Sequence, residues 1–128
     1  MTSYPTDLRY TTDHEWLRAA GTAWRVGITQ FAVDQLGDIT LVDLPKEGDL
    51  ITKGQRFGTI ESVKSVSDLY APVSGRVIAV NATLKDSPEQ INTEPYSAGW
   101  MIEIEPNDKT EIDELLSHDA YTQHVAAQ

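Results

Sequence analysis

Lys64 stands alone in TIESVKSVSDLYAPVSG, residues 59–75, with Val63 before it and Ser65 and Val66 after it. The runs on either side alternate as strands do, which places the lysine at the tip between them. A primary amine on a long stem has two uses at such a place. It is an ordinary surface charge, the better bet for an arbitrary lysine, or it is acylated to carry a group. The setting weighs against the first. Ser62, Val63, Ser65 and Val66 are small or medium and uncharged. They suit a solubility patch poorly and leave room for an enzyme to grip the turn. Turns usually take Gly, Asn, Asp or Pro. This tip has none of these, so its residues read as kept for another purpose.

Other chemistries find less support. GTIESVKS has the outline of a phosphate-binding loop, with Gly58 six residues before Lys64. That motif needs a second glycine directly before the lysine so that backbone amides can wrap the phosphates. Val63 stands there instead, and a β-branched residue resists the required positive φ. The flanks also read as strand and strand rather than strand and helix, so a nucleotide site is excluded. DHEW (13–16) lacks the second histidine of a zinc HExxH helix, and His118 and His124 are six residues apart, outside the familiar pairs. The three histidines read as structural or surface groups. No GxSxG elbow occurs. Glu103 with Glu105 and Asp113 with Glu114 read as solvent faces. Trp16, Trp24 and Trp100 are expected in strands, packing a core or interface rather than stacking bases. No catalytic residue and no metal ligand is expected.

The elements that would position Lys64 are short. TAWRVGIT (22–29), DITLVDL (38–44), RFGTIES (56–62), SVSDLY (65–70), GRVIAVN (75–81) and WMIEIEP (100–106) alternate apolar and polar residues. PKEGD, TKGQ, APVSG, DSPE and EPYSAG punctuate them. Thr29 as N-cap and Gly37 as stop predict one short helix near 29–36, with Phe31 or Ala32 and Leu36 on one side. Asp108 followed by Glu111 has capping-box spacing. It opens a C-terminal helical segment of about 108–126, whose last part either forms a helix or frays. Two stretches flanking the lysine hairpin (about 56–70) both run strand, crossing, strand, and predict two similar half-sheets facing each other. The expected fold is mainly β, a small β-sandwich or flattened barrel, built as a single domain over 1–128.

Composition narrows the partners. The 128 residues carry 20 acidic against 10 basic side chains, a net charge of -10. That disfavours nucleic acid and anionic membranes, which need a cationic face. It suits docking against basic protein surfaces. With no cysteine there is no disulfide, thiolate metal site or cysteine nucleophile. No apolar run is long enough to span a membrane, and MTSYPTDLRY has neither the h-region of a signal peptide nor the charge of a transit peptide. The expectation is a cytoplasmic protein, or a mitochondrial-matrix one if the chain has been processed.

At this point the chain resembles the H protein family of the glycine cleavage system. The resemblance rests on RYTTDHEW (9–16), VGITQFAVDQLGDITLVDLP (26–45), GTIESVKSVSDLYAPVSGRVIAVN (58–81), PEQINTEPYSAGWMIEI (88–104) and the late ELL with its following tyrosine. These cover nearly the whole chain in family order. ESVKSVSDLYAPVSG is similar to the family's lipoylation motif. EPYSAGW sets the chain apart from the lipoyl domains of 2-oxoacid dehydrogenases, and biotin carriers would place methionines beside the lysine. Gln35 and Asp13 fall in segments where the family varies.

The resemblance implies a lipoyl-domain-like barrel-sandwich hybrid with lipoate joined by an amide bond to Lys64. It implies a non-enzymatic carrier that takes an aminomethyl group from a PLP-dependent glycine decarboxylase to a tetrahydrofolate-dependent aminomethyltransferase. The dithiol then passes to dihydrolipoyl dehydrogenase, and lipoate-attaching enzymes load the lysine. It further suggests a cleft for the loaded arm, lined by Glu15 and Asp68; the alternative is that both are plain surface acids. A second use of the same lysine, relaying lipoate to other lipoyl domains, shares every residue named so far. The EPYSAGW region favours the shuttle modestly.

Overall fold

The computed structural model describes residues 4–127. Its strands are β1 (Arg9–Tyr10), β2 (Glu15–Ala20), β3 (Ala23–Ile28), β4 (Ile39–Asp43), β5 (Leu50–Ile51), β6 (Arg56–Ser62), β7 (Val66–Tyr70), β8 (Gly75–Val80) and β9 (Ile102–Pro106). Its helices are α1 (Gln30–Leu36), α2 (Thr83–Asp86), α3 (Gln90–Thr93), α4 (Lys109–Asp113) and α5 (His118–Ala126). All strand pairs are antiparallel. One sheet has six strands in the order β1-β2-β3-β9-β8-β5 and the other three in the order β4-β6-β7. The mainly β expectation holds, and two separate sheets decide for a sandwich against a closed barrel.

The sheets are not similar halves. The stretch before the lysine gives β4 and β6 to the small sheet but β5 to the large one, where it pairs with β8. The stretch after it gives β8 and β9, both to the large sheet. Alternation reports which residues point inward; it does not report which strand lies beside which. Trp16 and Trp24 lie in strands, but Trp100 precedes β9, where its carbonyl accepts the Asn81 amide and its ring lies under the Arg25 guanidinium at 4.9 Å.

α1 begins and ends where its caps place it. Thr29 accepts from the Ala32 amide, and Gly37, at φ +78, donates to the Val33 carbonyl. Its fully inward residues are Val33 and Leu36 rather than Phe31 or Ala32. α2 and α3 had no visible periodicity because each is about one turn, and both stop at a residue before proline (Ser87, Glu94) with extended φ. At α4, Asp108 caps Thr110 as expected. Glu111 does not close the box; its carboxylate accepts instead from the Ser74 amide at 2.8 Å. The tail forms a helix, α5.

The main core draws on both sheets: Leu17, Val26, Ile102 and Ile104 from the large one, Ile39, Ile60 and Leu69 from the small one, with Val33 and Ile91 from α1 and α3. A second cluster of Tyr4, Tyr10, Trp16 and Tyr121 docks α5, with Tyr10 and Tyr121 stacked at 4.5 Å. The Tyr121 hydroxyl lies 2.7 Å from Thr29 Oγ1 and 2.9 Å from His14 Nδ1. No helix among the described residues is long and apolar enough to cross a membrane.

Gly58 lets the small sheet close. It sits at a bulge of β6, and a Cβ there would collide with the Asp43 carbonyl oxygen of β4. Gly58→Ala must push these strands apart, a loss expected at about 1–3 kcal/mol, as overpacking costs elsewhere. Urea unfolding of both proteins measures it, and equal midpoints would show that the bulge absorbs the methyl group.

Candidate functional site

The tip between β6 and β7 is built by Ser62. Its amide donates to the Ser65 carbonyl at 2.8 Å, and its Oγ accepts from the amides of Lys64 and Ser65, both at 3.2 Å. This is a serine turn, so the reading of a tip without turn chemistry needs correction: the hydroxyl does locally what Asn or Asp does elsewhere. The next residue ties the tip to its surroundings, since the Val63 amide donates to the Asp38 carbonyl, between α1 and β4, at 3.0 Å. Val63 and Val66 are 68% and 63% exposed. Lys64 is exposed as well, and a strand rather than a helix follows it, which agrees with rejecting the phosphate loop.

The Lys64 stem lies along Gly37. A Cβ built on that glycine would stand 3.5 Å from Lys64 Cε and 3.7 Å from Cδ, an ordinary van der Waals distance. Among the described residues no carboxylate forms an ion pair with Lys64. The amine is therefore presented without an electrostatic partner to displace. The chemistry open to it is nucleophilic: a primary amine at an exposed, unpaired tip can accept an acyl group.

Beside the tip lies a hollow of about 270 Å³, lined by Glu15, Gln35, Leu36, Ser67, Asp68 and Tyr70 among others. Gly37, under the lysine stem, directly follows the lining residue Leu36. Glu15 and Asp68 are thus brought together, as are Asp13 and Gln35, but the two acids differ. Asp68 is half exposed, 3.9 Å from Arg56 Nη1 and 3.4 Å from the Tyr70 hydroxyl. Glu15 is 2% exposed; its Oε2 accepts the Tyr70 amide at 2.9 Å and its Oε1 the Thr11 hydroxyl at 3.4 Å. Burial pushes the Glu15 carboxyl up to about 8, with Asp13 adding to the rise and the Tyr70 and Thr11 bonds only partly opposing it. A plain surface acid does not describe Glu15. A larger hollow, about 640 Å³, lies between Gly21, Trp24 and Lys109, but shares no residue with the lysine tip or with the hollow of Glu15 and Asp68.

Of the histidines, His14 lines this hollow of Glu15 and Asp68, while His118 and His124 do not. His14 takes φ +68, contacts Phe31 at a ring separation of 4.4 Å, and has its pKa lowered by burial and by His124. Among the described residues no group of His, Asp and Glu could hold a metal ion. Sequence reasoning missed Ser62 and Asn92; the second bonds both Gly37 and Ile39. Ser62 could have been found, since a serine opening a four-residue tip is itself a turn signal.

The raised Glu15 pKa has a consequence for stability. The folded chain holds this proton up to about 8, whereas an unperturbed glutamate releases it at 4.5. Between those values the folded state binds the extra proton, so its contribution is full below the lower value and is lost as pH rises through the upper one. Glu15→Gln keeps an oxygen for the Tyr70 amide and removes the titration. From about pH 5 to about pH 8 the unaltered protein is expected to lose a few kcal/mol relative to the variant. Urea midpoints at each pH measure this, and two parallel curves would show an ordinary carboxylate.

Comparison with known proteins follows the same lines. A family model described as glycine cleavage H-protein matches residues 8–128. A probable glycine cleavage system H protein of Haloarcula marismortui is 54% identical over 121 residues, covering 94% of this chain and 95% of that protein. The glycine cleavage system H protein of Listeria monocytogenes is 54% identical over 119 residues, covering 93% of this chain and 95% of that one. The crystal structure of a glycine cleavage system H protein from Mycobacterium marinum superposes with a TM-score of 0.88 at 41% identity, over 96% of this chain and 99% of the other. By sequence and by fold, this chain belongs to the glycine cleavage H-protein family.

Proposed function

We propose that Lys64 carries lipoate in amide linkage and that the chain, as one domain over 1–128, is a carrier rather than an enzyme. Within that domain 56–70 is the presenting hairpin and 108–126 a helical buttress. The observation that carries the reading is the unpaired amine on a braced two-stranded finger, its stem lying over Gly37 and the hollow of Glu15 and Asp68 alongside. Family membership supports a lipoyl-carrying role in glycine cleavage. When attached, lipoate would supply a reducible disulfide, one sulfur of which could bear an aminomethyl group received from a partner enzyme. The protein supplies reach and orientation.

In the finer reading, this cytoplasmic chain takes the aminomethyl group from a PLP-dependent glycine decarboxylase and yields it to a tetrahydrofolate-dependent aminomethyltransferase. Dihydrolipoyl dehydrogenase then reoxidises the dithiol, and lipoate-attaching enzymes acylate Lys64 beforehand. Glu15 and Asp68 hold the cationic amine of the loaded arm in the hollow. An entering cation favours the ionised form of a carboxyl held near neutrality, so Glu15 becomes a charged partner when one arrives.

Two measurements test this. Tryptic peptides from cells that make lipoate should carry the acyl group at Lys64, and Lys64→Arg should abolish it; a bare lysine in the presence of competent attaching enzymes refutes the assignment. The purified acylated chain should support glycine-dependent reduction of NAD with the three partner enzymes. If it is acylated but inactive there, while donating lipoate to other domains, the relay role replaces the shuttle. Separately, replacing both Glu15 and Asp68 with alanine is expected to speed loss of ammonia from the loaded carrier about tenfold or more, the scale of losing a charge-assisted contact. An unchanged rate removes them from the role.

A further inference from the structure

Asn92 is far from Lys64 in sequence and does not line the hollow, yet the lysine tip is connected through it to the core. It sits on α3, whose Ile91 is fully buried in the main cluster. Its Nδ2 donates to the Gly37 carbonyl at 2.9 Å, and its Oδ1 accepts from the Ile39 amide at 2.9 Å. A carboxamide is the side chain that can both donate and accept at that spacing, and only this orientation of its oxygen and nitrogen satisfies both partners. Between the two clamped residues stands Asp38, whose carbonyl accepts the Val63 amide of the tip at 3.0 Å. Gly37 itself is the surface beside the Lys64 stem. Three consecutive residues, 37 to 39, are therefore held by Asn92 and in turn hold the lysine tip.

The segment is otherwise anchored at its ends, by the Gly37 amide on the Val33 carbonyl and by the buried Ile39 side chain. Asp38 between them depends on how those ends are set. Gly37 has positive φ, and the Ile39–Leu41 register of β4 against β6 is irregular. The β6–β7 hairpin projects beyond that irregularity, so a small rotation of the segment moves the Asp38 carbonyl and with it Val63 and Lys64. We propose that Asn92 is a positioning residue for the Lys64 tip, setting where the amine is presented to the enzyme that acylates it. The acylation half of this rests on the function proposed above; the mechanical half does not.

The test uses the full chain with Asn92→Ala, which removes both bonds, and Asn92→Asp, which keeps the acceptor for Ile39 but loses the donor to Gly37. Amide hydrogen exchange is read at Val63 and, as an internal reference, at the paired β2 and β3 amides. Relative to that reference, Val63 exchange should quicken about tenfold in the alanine variant, the equivalent of about one hydrogen bond, and less in the aspartate variant. The KM for acylation of Lys64 by a lipoate-attaching enzyme with lipoate and ATP should rise several-fold in the same order, with kcat changed less. Unchanged relative protection of Val63 overturns the proposal, as does quickened exchange with an unaltered KM. A general loss of stability would move reference and Val63 amides together, and that pattern too overturns it. If Asn92→Ala does not fold, the aspartate variant alone carries the comparison. Were the unaltered chain never acylated while Val63 responded as stated, the carrier reading would fail and the mechanical coupling would stand.

Discussion

The carboxyl of Glu15, on β2 of the six-stranded sheet, accepts the amide of Tyr70, the last residue of β7 in the three-stranded sheet. This bond joins the two sheets beside the hollow and sets how the base of the lysine hairpin leans on the rest of the protein. Burying a carboxylate is costly, and two bonds do not repay it, which is why burial dominates and its pKa rises to about 8. The protonated acid retains a carbonyl oxygen for Tyr70, so the brace does not depend on the charge. That separation matters. The junction persists whether or not the proton is present, while the charge stays free to respond to what enters the hollow.

Above that brace the hairpin is stiff as far as the Lys64 backbone and loose beyond it. The Ser62 turn and the Val63–Asp38 bond fix the tip during folding. Ordering the backbone costs about 1–2 kcal/mol per residue, and none of that remains to be supplied when a partner docks. The exposed Lys64 stem has no ion pair among the described residues and carries the rotatable bonds of a long side chain. A stiff base with a flexible end confines the amine, or whatever it carries, to a small volume near any docked surface and so raises its effective concentration. The flanking Val63 and Val66 expose apolar surface that would shed water cheaply against a partner. Amide formation would remove one positive charge and take the net from -10 to about -11, favouring basic partner surfaces in a salt-sensitive way.

The sequence made part of this legible. Lys64 stood out because charge and size are local properties, and the caps of α1 showed because a threonine and a glycine at the right separation have few other uses. What escaped depended on neighbours distant in the chain. Glu111 has the spacing to close a capping box, yet the Ser74 amide, brought close by the fold, takes its carboxylate. Asn92 lies in a stretch that reads as a crossing, and its role exists only because α3 packs beside the end of α1. Sheet partnership was misjudged for the same reason, since periodicity shows which face a residue takes but not its neighbour strand. Ser62 differs: its signal is local, because a serine hydroxyl at the start of a four-residue tip can accept the following amides in place of glycine, proline, asparagine or aspartate.

The titratable groups also bear on the proposed carrier role. A general acid or base works best with a pKa near the working pH and a free atom directed at the reacting group. Here burial raises Tyr4, Tyr10, Tyr96 and Tyr121 above the usual phenol value and lowers His14, moving each away from neutrality. Tyr121 and His14 are further committed to each other. Among the shifted groups of the described residues only Glu15 moves toward neutrality, and its oxygens are engaged by Tyr70 and Thr11. Asp13 and Asp68 line the same hollow, so a cation entering it meets further carboxyl groups beside Glu15. That arrangement fits the proposed carrier role, in which the hollow would steady an amine on the arm and bond-breaking would fall to partner enzymes.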